Sequence, residues 1–521
     1  MYPKSLLLLA YYSVSIVLLS TSLVSSTSTC SLSVLSNDYT PIGTLRTRNT
    51  SSITNPYPFS VGTECMDRNY TIYDNWKMYL AATGSKEARV QGGWYRCEPT
   101  GKGIYDYNWL DNIVYDMYYN QSVTPWIQLS YGNPNYGIDG GTEESNSPLP
   151  NGTALTAFFN WVTSTVNRYN TIVTTWEIWN EPEIGKIDAN DYANFAIQVA
   201  KLIKQINSKA IIRFGVFAGV DITYAKTVLS VIQQTNTVNL FDVLTYHPYA
   251  YNPDSVYDQV STLHELVTNV STSLSIAQGE NGAPSQPFTY GALGDYNWTE
   301  CSQSKWVSRR IMGDRSRDIP TSTFTLVDIC YITDNKSTIN TKGLIEAICP
   351  DKTIVRPKLS YSIVQRLYST MDNTVTTVPS NAYTVQLIDI NHPSNIYNNP
   401  STIYTSLFIS TDGKNRIVFS AWNASNTPAN ADQTITNVYN VTLTVNIASL
   451  PMNVIPNRVR AISNMHDTIS WRLVDVLTGT VYSIDIDMNQ QGSTITYTIP
   501  YVPIADFAVL LGDEVFFPIG N

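Results

Sequence analysis

From about residue 58 to residue 370 the chain alternates short β-branched runs with longer amphipathic stretches, an order that few folds accommodate. Candidate strands fall at residues 59–63, 87–91, 125–130, 172–179, 211–216, 243–246, 274–279 and 324–329, eight in all. Between them lie helical patterns. Residues 154–169 place Leu155, Phe158, Phe159, Val162 and Val166 at spacings of three and four, and Asp188 stands as the cap of a second helix carrying Tyr192, Phe195, Val199, Leu202 and Ile206. Strands separated by helices pair in parallel, because a parallel partner is reached only by a crossover. Eight such units predict an α/β fold, a (β/α)8 TIM barrel over residues 58–372, with its reactive groups at the C-terminal ends of the strands.

Beyond residue 372 the texture changes to Thr- and Val-rich alternation broken by Asn, Pro and Gly, as at 402–410, 415–421, 438–447 and 493–499. A C-terminal β-sandwich domain is expected over residues 373–521. Residues 30–57 are equally strand-like and are expected to pack on that sandwich.

Residues 1–29 read as a signal peptide: Lys4 precedes a mainly apolar run from Leu6 to Val24 that ends in small residues. An uncleaved anchor is the alternative reading, since the run is long enough to span a bilayer. No membrane association beyond this segment is expected. The remaining chain carries six cysteines, an even number that suits disulfides in an oxidising compartment. Cys65 with Cys97 is the preferred bridge, because both follow adjacent strands, and Cys330 with Cys349 is a second. Nine N-x-S/T sequons, at Asn49, Asn69, Asn120, Asn151, Asn269, Asn297, Asn335, Asn423 and Asn440, agree with passage through the secretory pathway to an extracellular or lysosome-like destination. A net charge of −10 with no Lys/Arg cluster argues against a nucleic-acid partner, which is held by neutralising phosphates. With four histidines, no HExxH and no zinc-type cysteine spacing, no metal or cofactor is expected. The 35 tyrosines and 11 tryptophans offer flat faces on which sugar rings pack, though aromatics also fill cores.

The strongest chemical signal is Trp176-Glu177-Ile178-Trp179-Asn180-Glu181-Pro182-Glu183, at the end of the fourth candidate strand. Asn-Glu-Pro after a Trp-rich strand resembles the acid/base motif of clan A glycoside hydrolases. The resemblance implies that Glu181 protonates the glycosidic oxygen and that Asn180 contacts the sugar 2-hydroxyl. Such chemistry needs a second carboxylate at the end of the seventh strand, where Gln278-Gly279-Glu280-Asn281-Gly282 places Glu280. The glycines around it are compatible with close approach of a substrate to the backbone. His247-Pro248-Tyr249 resembles the clan's H-x-Y element, whose Tyr hydrogen-bonds the nucleophile and whose His lines the sugar site. Arg89, near the end of the second strand, resembles the Arg that keeps the nucleophile ionised. Asn133 and Trp94, beyond the third and second strands, are subsite candidates.

Within clan A the chain resembles most the family containing β-xylosidases and α-L-iduronidases, which also carries a trailing β-sandwich. The resemblance implies retaining hydrolysis of an oligosaccharide, polysaccharide or glycoside, with Glu280 as nucleophile and Glu181 as acid/base. There are departures. The nucleophile segment is Gln-Gly-Glu-Asn-Gly in place of a xylosidase-like Thr-Glu-Phe, and the expected eighth strand, running into Asp328-Ile329-Cys330-Tyr331, ends without the Trp of many clan members. No carboxylate-binding Arg or Lys set is identifiable, so iduronidase activity is not implied. Two alternatives differ in class: a clan A enzyme of other specificity, such as an endo-glucanase, galactanase or glucuronidase, and a catalytically silent carbohydrate-binding surface protein. Retention of both glutamates argues against the silent module, because buried carboxylates are costly to keep without a use. A serine hydrolase is without support, as G-x-S-x-G is missing.

Overall fold

The structure, a computed structural model, describes residues 30–32, 39–287, 291–333, 336–414, 416–425, 428, 436–450 and 465–520. The expected signal segment, the Asn335 sequon and Asn415 lie outside the described residues.

After an N-terminal strand β1 (Thr40–Leu45), eight strands close a parallel barrel: β2 (Phe59–Gly62), β3 (Glu87–Gln91), β4 (Thr124–Leu129), β5 (Thr175–Ile178), β6 (Ile211–Phe217), β7 (Val243–Tyr246), β8 (Ser275–Asn281) and β9 (Thr321–Thr323). Parallel pairing of β9 with β2 shuts the ring. Their residues are buried almost throughout, since side chains on one face fill the barrel and those on the other meet the helices. The helix Gly152–Tyr169 buries Phe158, Val162 and Val166, leaving Leu155 and Phe159 half-buried. In the helix Ala189–Ile206 the cap is Asp188, whose carboxylate accepts the Asn190 N–H at 2.8 Å.

Seven of the eight expected strands stand where sequence placed them, give or take a few residues. The eighth does not. Residues 324–329 leave the barrel: the Leu326 N–H donates to the Gly62 carbonyl at 2.9 Å and Val327 bridges to Ile345. The strand that fits between β8 and β2 is the three-residue Thr321–Thr323. The apolar character of 324–329 reflects packing beneath two hairpins that follow, β10 (Ile329–Thr333) with β11 (Lys336–Asn340), and β12 (Ile345–Ile348) with β13 (Thr353–Pro357).

The remaining strands, from Val375–Thr377 to Ile519–Gly520, form one antiparallel sheet of twelve together with β1. It folds over on itself, so that the strand Thr494–Ala505 lies against Ile417–Asn423 without pairing to it. β1 pairs with both Thr480–Gln491 and Ile519–Gly520.

Between barrel and sheet runs the helix Glu300–Arg315, buried from Cys301 to Arg315 although much of it is polar. Its charges have partners on both sides: Lys305 reaches Asp506 at 3.0 Å in the sheet, and Arg309 reaches Asp254 at 2.7 Å in the barrel.

Two disulfides are present, Cys30–Cys301 and Cys330–Cys349. The second is the expected bridge; the expected Cys65–Cys97 bridge is wrong, as both thiols are free and buried. Cys65 faces the cavity described below, within 3.2 Å of the Arg68 guanidinium, whereas Cys97 turns to the Gly92 carbonyl. No helix among the described residues is long and apolar enough to cross a membrane.

Candidate active site

At the C-terminal ends of the barrel strands opens a cavity of about 510 Å³, lined by Glu64, Arg68, Asn180, Glu181, Tyr249, Glu280, Phe324 and Lys342 among others. The chain beyond β5 enters it through an unusual backbone. Trp179 and Glu181 both have positive φ, 67° and 43°, a region costly for residues with a Cβ. The Glu181 N–H is fixed to the Val216 carbonyl at 2.8 Å, and Val216 itself lies in a bulge of β6 at φ 53°. Neighbouring strands thus aim the Glu181 side chain inward.

Glu280 enters from β8, opposite. Its Oε2 accepts from Arg89 Nη1 at 2.7 Å and its Oε1 from the Tyr249 hydroxyl at 2.8 Å. Glu181 Oε1 meets His247 Nδ1 at 2.8 Å. A carboxylate oxygen of Glu181, one of Glu280 and a ring nitrogen of His247 all lie within 4.8 Å of one another. The glycines around Glu280 leave room for protein neighbours: a Cβ at Gly279 would stand 3.1 Å from His247 Nε2, and one at Gly282 would strike the Phe324 carbonyl.

The two carboxyls live in different fields. Burial raises Glu181 from the usual carboxylate range to about 7, with Arg89 and Lys342 pulling the other way. Burial lowers His247 to about 4 against the opposing pull of Glu280, so the imidazole is neutral at neutral pH. Arg89 is fully buried; besides Glu280 it binds Glu177 Oε1 through Nε and Nη2, at 2.9 and 2.6 Å, and Asn180 Oδ1 at 2.6 Å.

The structure therefore brings Glu181, Glu280, Asn180, Arg89, His247 and Tyr249 together. Asn180 is doubly committed, since its Oδ1 also accepts from Gln128 at 2.9 Å and its Nδ2 donates to the Tyr131 hydroxyl at 2.8 Å. Asn133 and Trp94 do not join them. Asn133 is buried, donating to the Glu98 carbonyl and accepting from Asn135 N–H, and Trp94 is buried with its indole N–H on Glu98 Oε2 at 2.7 Å. Both pack on Glu98, and neither lines the cavity. Glu183 also turns away, its carboxylate accepting from the Ala218 N–H at 3.3 Å.

Sequence reasoning missed Glu64, Glu177, Arg68 and Lys342. Glu64 follows β2; its Oε2 accepts from Thr325 at 3.1 Å, its Oε1 lies 3.4 Å from Arg89, and burial pushes it up to about 8. Glu177 had one legible signal, a charged residue inside an otherwise apolar buried strand, which demands a partner. An aromatic at the end of the eighth strand was also missed through the misplaced strand: Phe324 follows β9 and lines the cavity.

Glu181, His247 and Glu280 are donor types that bind cations, but both Glu280 oxygens are occupied and the Arg89 charge beside them disfavours a second cation, so no metal ligand set is assigned.

No family model and no curated protein sequence matches the chain. Solved structures match its fold. A family 39 glycoside hydrolase from the gut symbiont Bacteroides cellulosilyticus WH2 superposes with a TM-score of 0.58 at 17% identity, over 88% of this chain and 81% of that one. A monomeric β-xylosidase from Caulobacter crescentus CB15 gives 0.50 at 14% identity, over 88% and 97%. A GH30 endoxylanase from Clostridium papyrosolvens C71 gives 0.50 at 12% identity, over 90% and 97%. The chain thus has the barrel-and-sheet fold of clan A glycoside hydrolases. Its likeness to the family 39 structure extends over both the barrel and the sheet, with 88% of this chain covered.

Proposed function

We propose that the chain is a secreted retaining glycoside hydrolase, β-xylosidase-like or related in its substrate, working by double displacement. The observation that carries this reading is the pair Glu181 and Glu280, presented from the ends of the fourth and seventh barrel strands with oxygens within 4.8 Å of each other. Retaining enzymes hold their carboxyls about 5 Å apart, whereas inverting enzymes leave room for a water between them.

The environments support a division of roles. Glu280, held by Arg89 and Tyr249, is the nucleophile that attacks the anomeric carbon. Glu181, raised to about 7, keeps its proton near neutrality and delivers it to the departing oxygen. Neutral His247 orients that carboxyl by its 2.8 Å contact. Once the glycosyl group is on Glu280, Glu181 takes a proton from water, which breaks the intermediate and restores the starting configuration. Two disulfides and the N-terminal apolar segment support passage through an oxidising secretory route.

A panel of nitrophenyl and methylumbelliferyl glycosides, with proton NMR of the first-formed sugar, tests the reading. Turnover with retained configuration is expected on at least one pentoside or hexoside. Inversion, or silence across aryl glycosides and polysaccharides alike, would sink it.

A further inference from the structure

Four carboxyl groups, Glu64, Glu177, Glu181 and Glu280, meet around the floor of the cavity. Arg89 reaches three of them, Glu64, Glu177 and Glu280, and bonds to none of the Glu181 oxygens among the described contacts. Arg68 is drawn aside to Glu144, at 2.9 Å. Glu181 is left with a neutral imidazole as its bonded partner. A further cation lining the cavity is Lys342, from outside the barrel. It follows the β10–β11 hairpin, which the Cys330–Cys349 disulfide pins, and its backbone is tied to Asn340 and Gln303. The side chain is buried, with Nζ 5.6 Å from the centre of the Tyr249 ring, whose hydroxyl holds Glu280.

We propose that Lys342 is a positioning residue of this site, a cation on the cavity wall beyond the hairpin whose charge helps set how readily Glu181 gives up its proton. Burial alone would drive Glu181 upward; Arg89 and, after it, the Lys342 ammonium on the facing cavity wall oppose it and keep the acid/base group poised between its two tasks, donating and accepting. Lys342 feels both carboxyls in return: burial lowers it to about 8, with Glu280 and Glu181 pulling it back up. The other groups around Glu181 are Arg89 from β3, Tyr131 beyond β4, His247 and Tyr249 beyond β7, and Glu280 on β8, with Glu183 on its own segment turned aside to Ala218. Of these only Arg89 is a cation, and it is shared among Glu64, Glu177 and Glu280.

The proposal takes its functional meaning from the glycosidase reading, but its main test needs no turnover. Protein labelled with carbon-13 at glutamate carboxyls is titrated by NMR, with the Glu181 signal assigned by its loss in Glu181→Gln. In Lys342→Met the Glu181 midpoint is expected to rise by about one pH unit, and Lys342→Arg to restore it. The alkaline limb of kcat/KM should move upward in parallel. A midpoint unchanged in Lys342→Met, or one that Lys342→Arg leaves displaced, overturns the proposal even if activity falls, because a structural prop would lower activity without moving the titration. Should Lys342→Met fail to fold, Lys342→Gln carries the same expectation. A chain that titrates as expected yet cleaves no glycoside would keep this inference and discard the glycosidase reading.

Discussion

Replacing Arg89 by Met removes the cation around which the cavity floor is built and leaves an uncharged, unbranched side chain. The guanidinium contacts Glu177 at 2.6 Å, Glu280 at 2.7 Å and Glu64 at 3.4 Å, and the Arg89 and Glu177 side chains have no exposed surface. At an effective dielectric of about 20, two unit charges some 4 Å apart attract by about 4 kcal/mol, so the two shorter pairs give a gross attraction of about 8 kcal/mol. Much of this offsets the desolvation of the buried guanidinium, and the expected net loss on breaking the cluster is about 3–5 kcal/mol at neutral pH. The loss should depend on pH, with a definite sign. Arg89 holds Glu64 and Glu181 lower than burial alone would set them, at about 8 and about 7. Without it the buried carboxyls rise further above their unfolded values near 4.3. A carboxyl whose folded value is raised binds more protons folded than unfolded, so its penalty grows as pH climbs through that window and fades as pH falls. Urea denaturation of the wild type and Arg89→Met at pH 5 and pH 7.5 measures this. The deficit should be larger at pH 7.5. A deficit below about 1 kcal/mol, or one equal at the two pH values, would refute the view of Arg89 as the charge partner of these carboxyls.

Under the proposed mechanism Glu181 and Glu280 should be separable by azide: with Glu181→Ala, activated aryl glycosides still form the intermediate and azide returns the substrate's own anomer, while Glu280→Ala gives the opposite anomer, both read by proton NMR. Substrates with poor leaving groups should lose about 100- to 10,000-fold in turnover in Glu181→Ala; the same azide anomer from both variants would reverse or void the assignment. Peptide mapping under non-reducing conditions should recover Cys30 linked to Cys301 and Cys330 linked to Cys349, with Cys65 and Cys97 alkylated only after denaturation. A Cys65–Cys97 peptide would contradict the fold around the cavity.

The barrel was legible because its strands are buried on both faces and its helices on one, and burial of that kind leaves continuous and periodic apolar patterns respectively. The eighth strand escaped because Thr321–Thr323 is short and polar, while the more strand-like residues just after it are apolar for another reason, the hairpins above them. Glu181 and Glu280 were readable as motifs at strand ends. Glu64, Arg68 and Lys342 were not, because a lone charged residue in a loop looks like any solvated side chain until the fold closes over it. The thiol of Cys65 misled for a related reason: nearness of strands does not fix the direction in which a side chain beyond them points.

The edge of the sheet where β1 meets the strand Ile519–Gly520, with Thr44 opposite Gly520 and Leu45 opposite Ile519, carries a consequence for synthesis. Thr44 leaves the ribosome before any of the barrel, and Gly520 after all of it. A barrel that assembles as it emerges does so while the polar face of the helix Glu300–Arg315 still awaits the strands that will supply Asp506 to Lys305. The strand β1 waits for both of its neighbours, Thr480–Gln491 and Ile519–Gly520, each made after the whole barrel. A circular permutant that joins the two edges and opens an exposed loop elsewhere would place both halves of that edge side by side from the start.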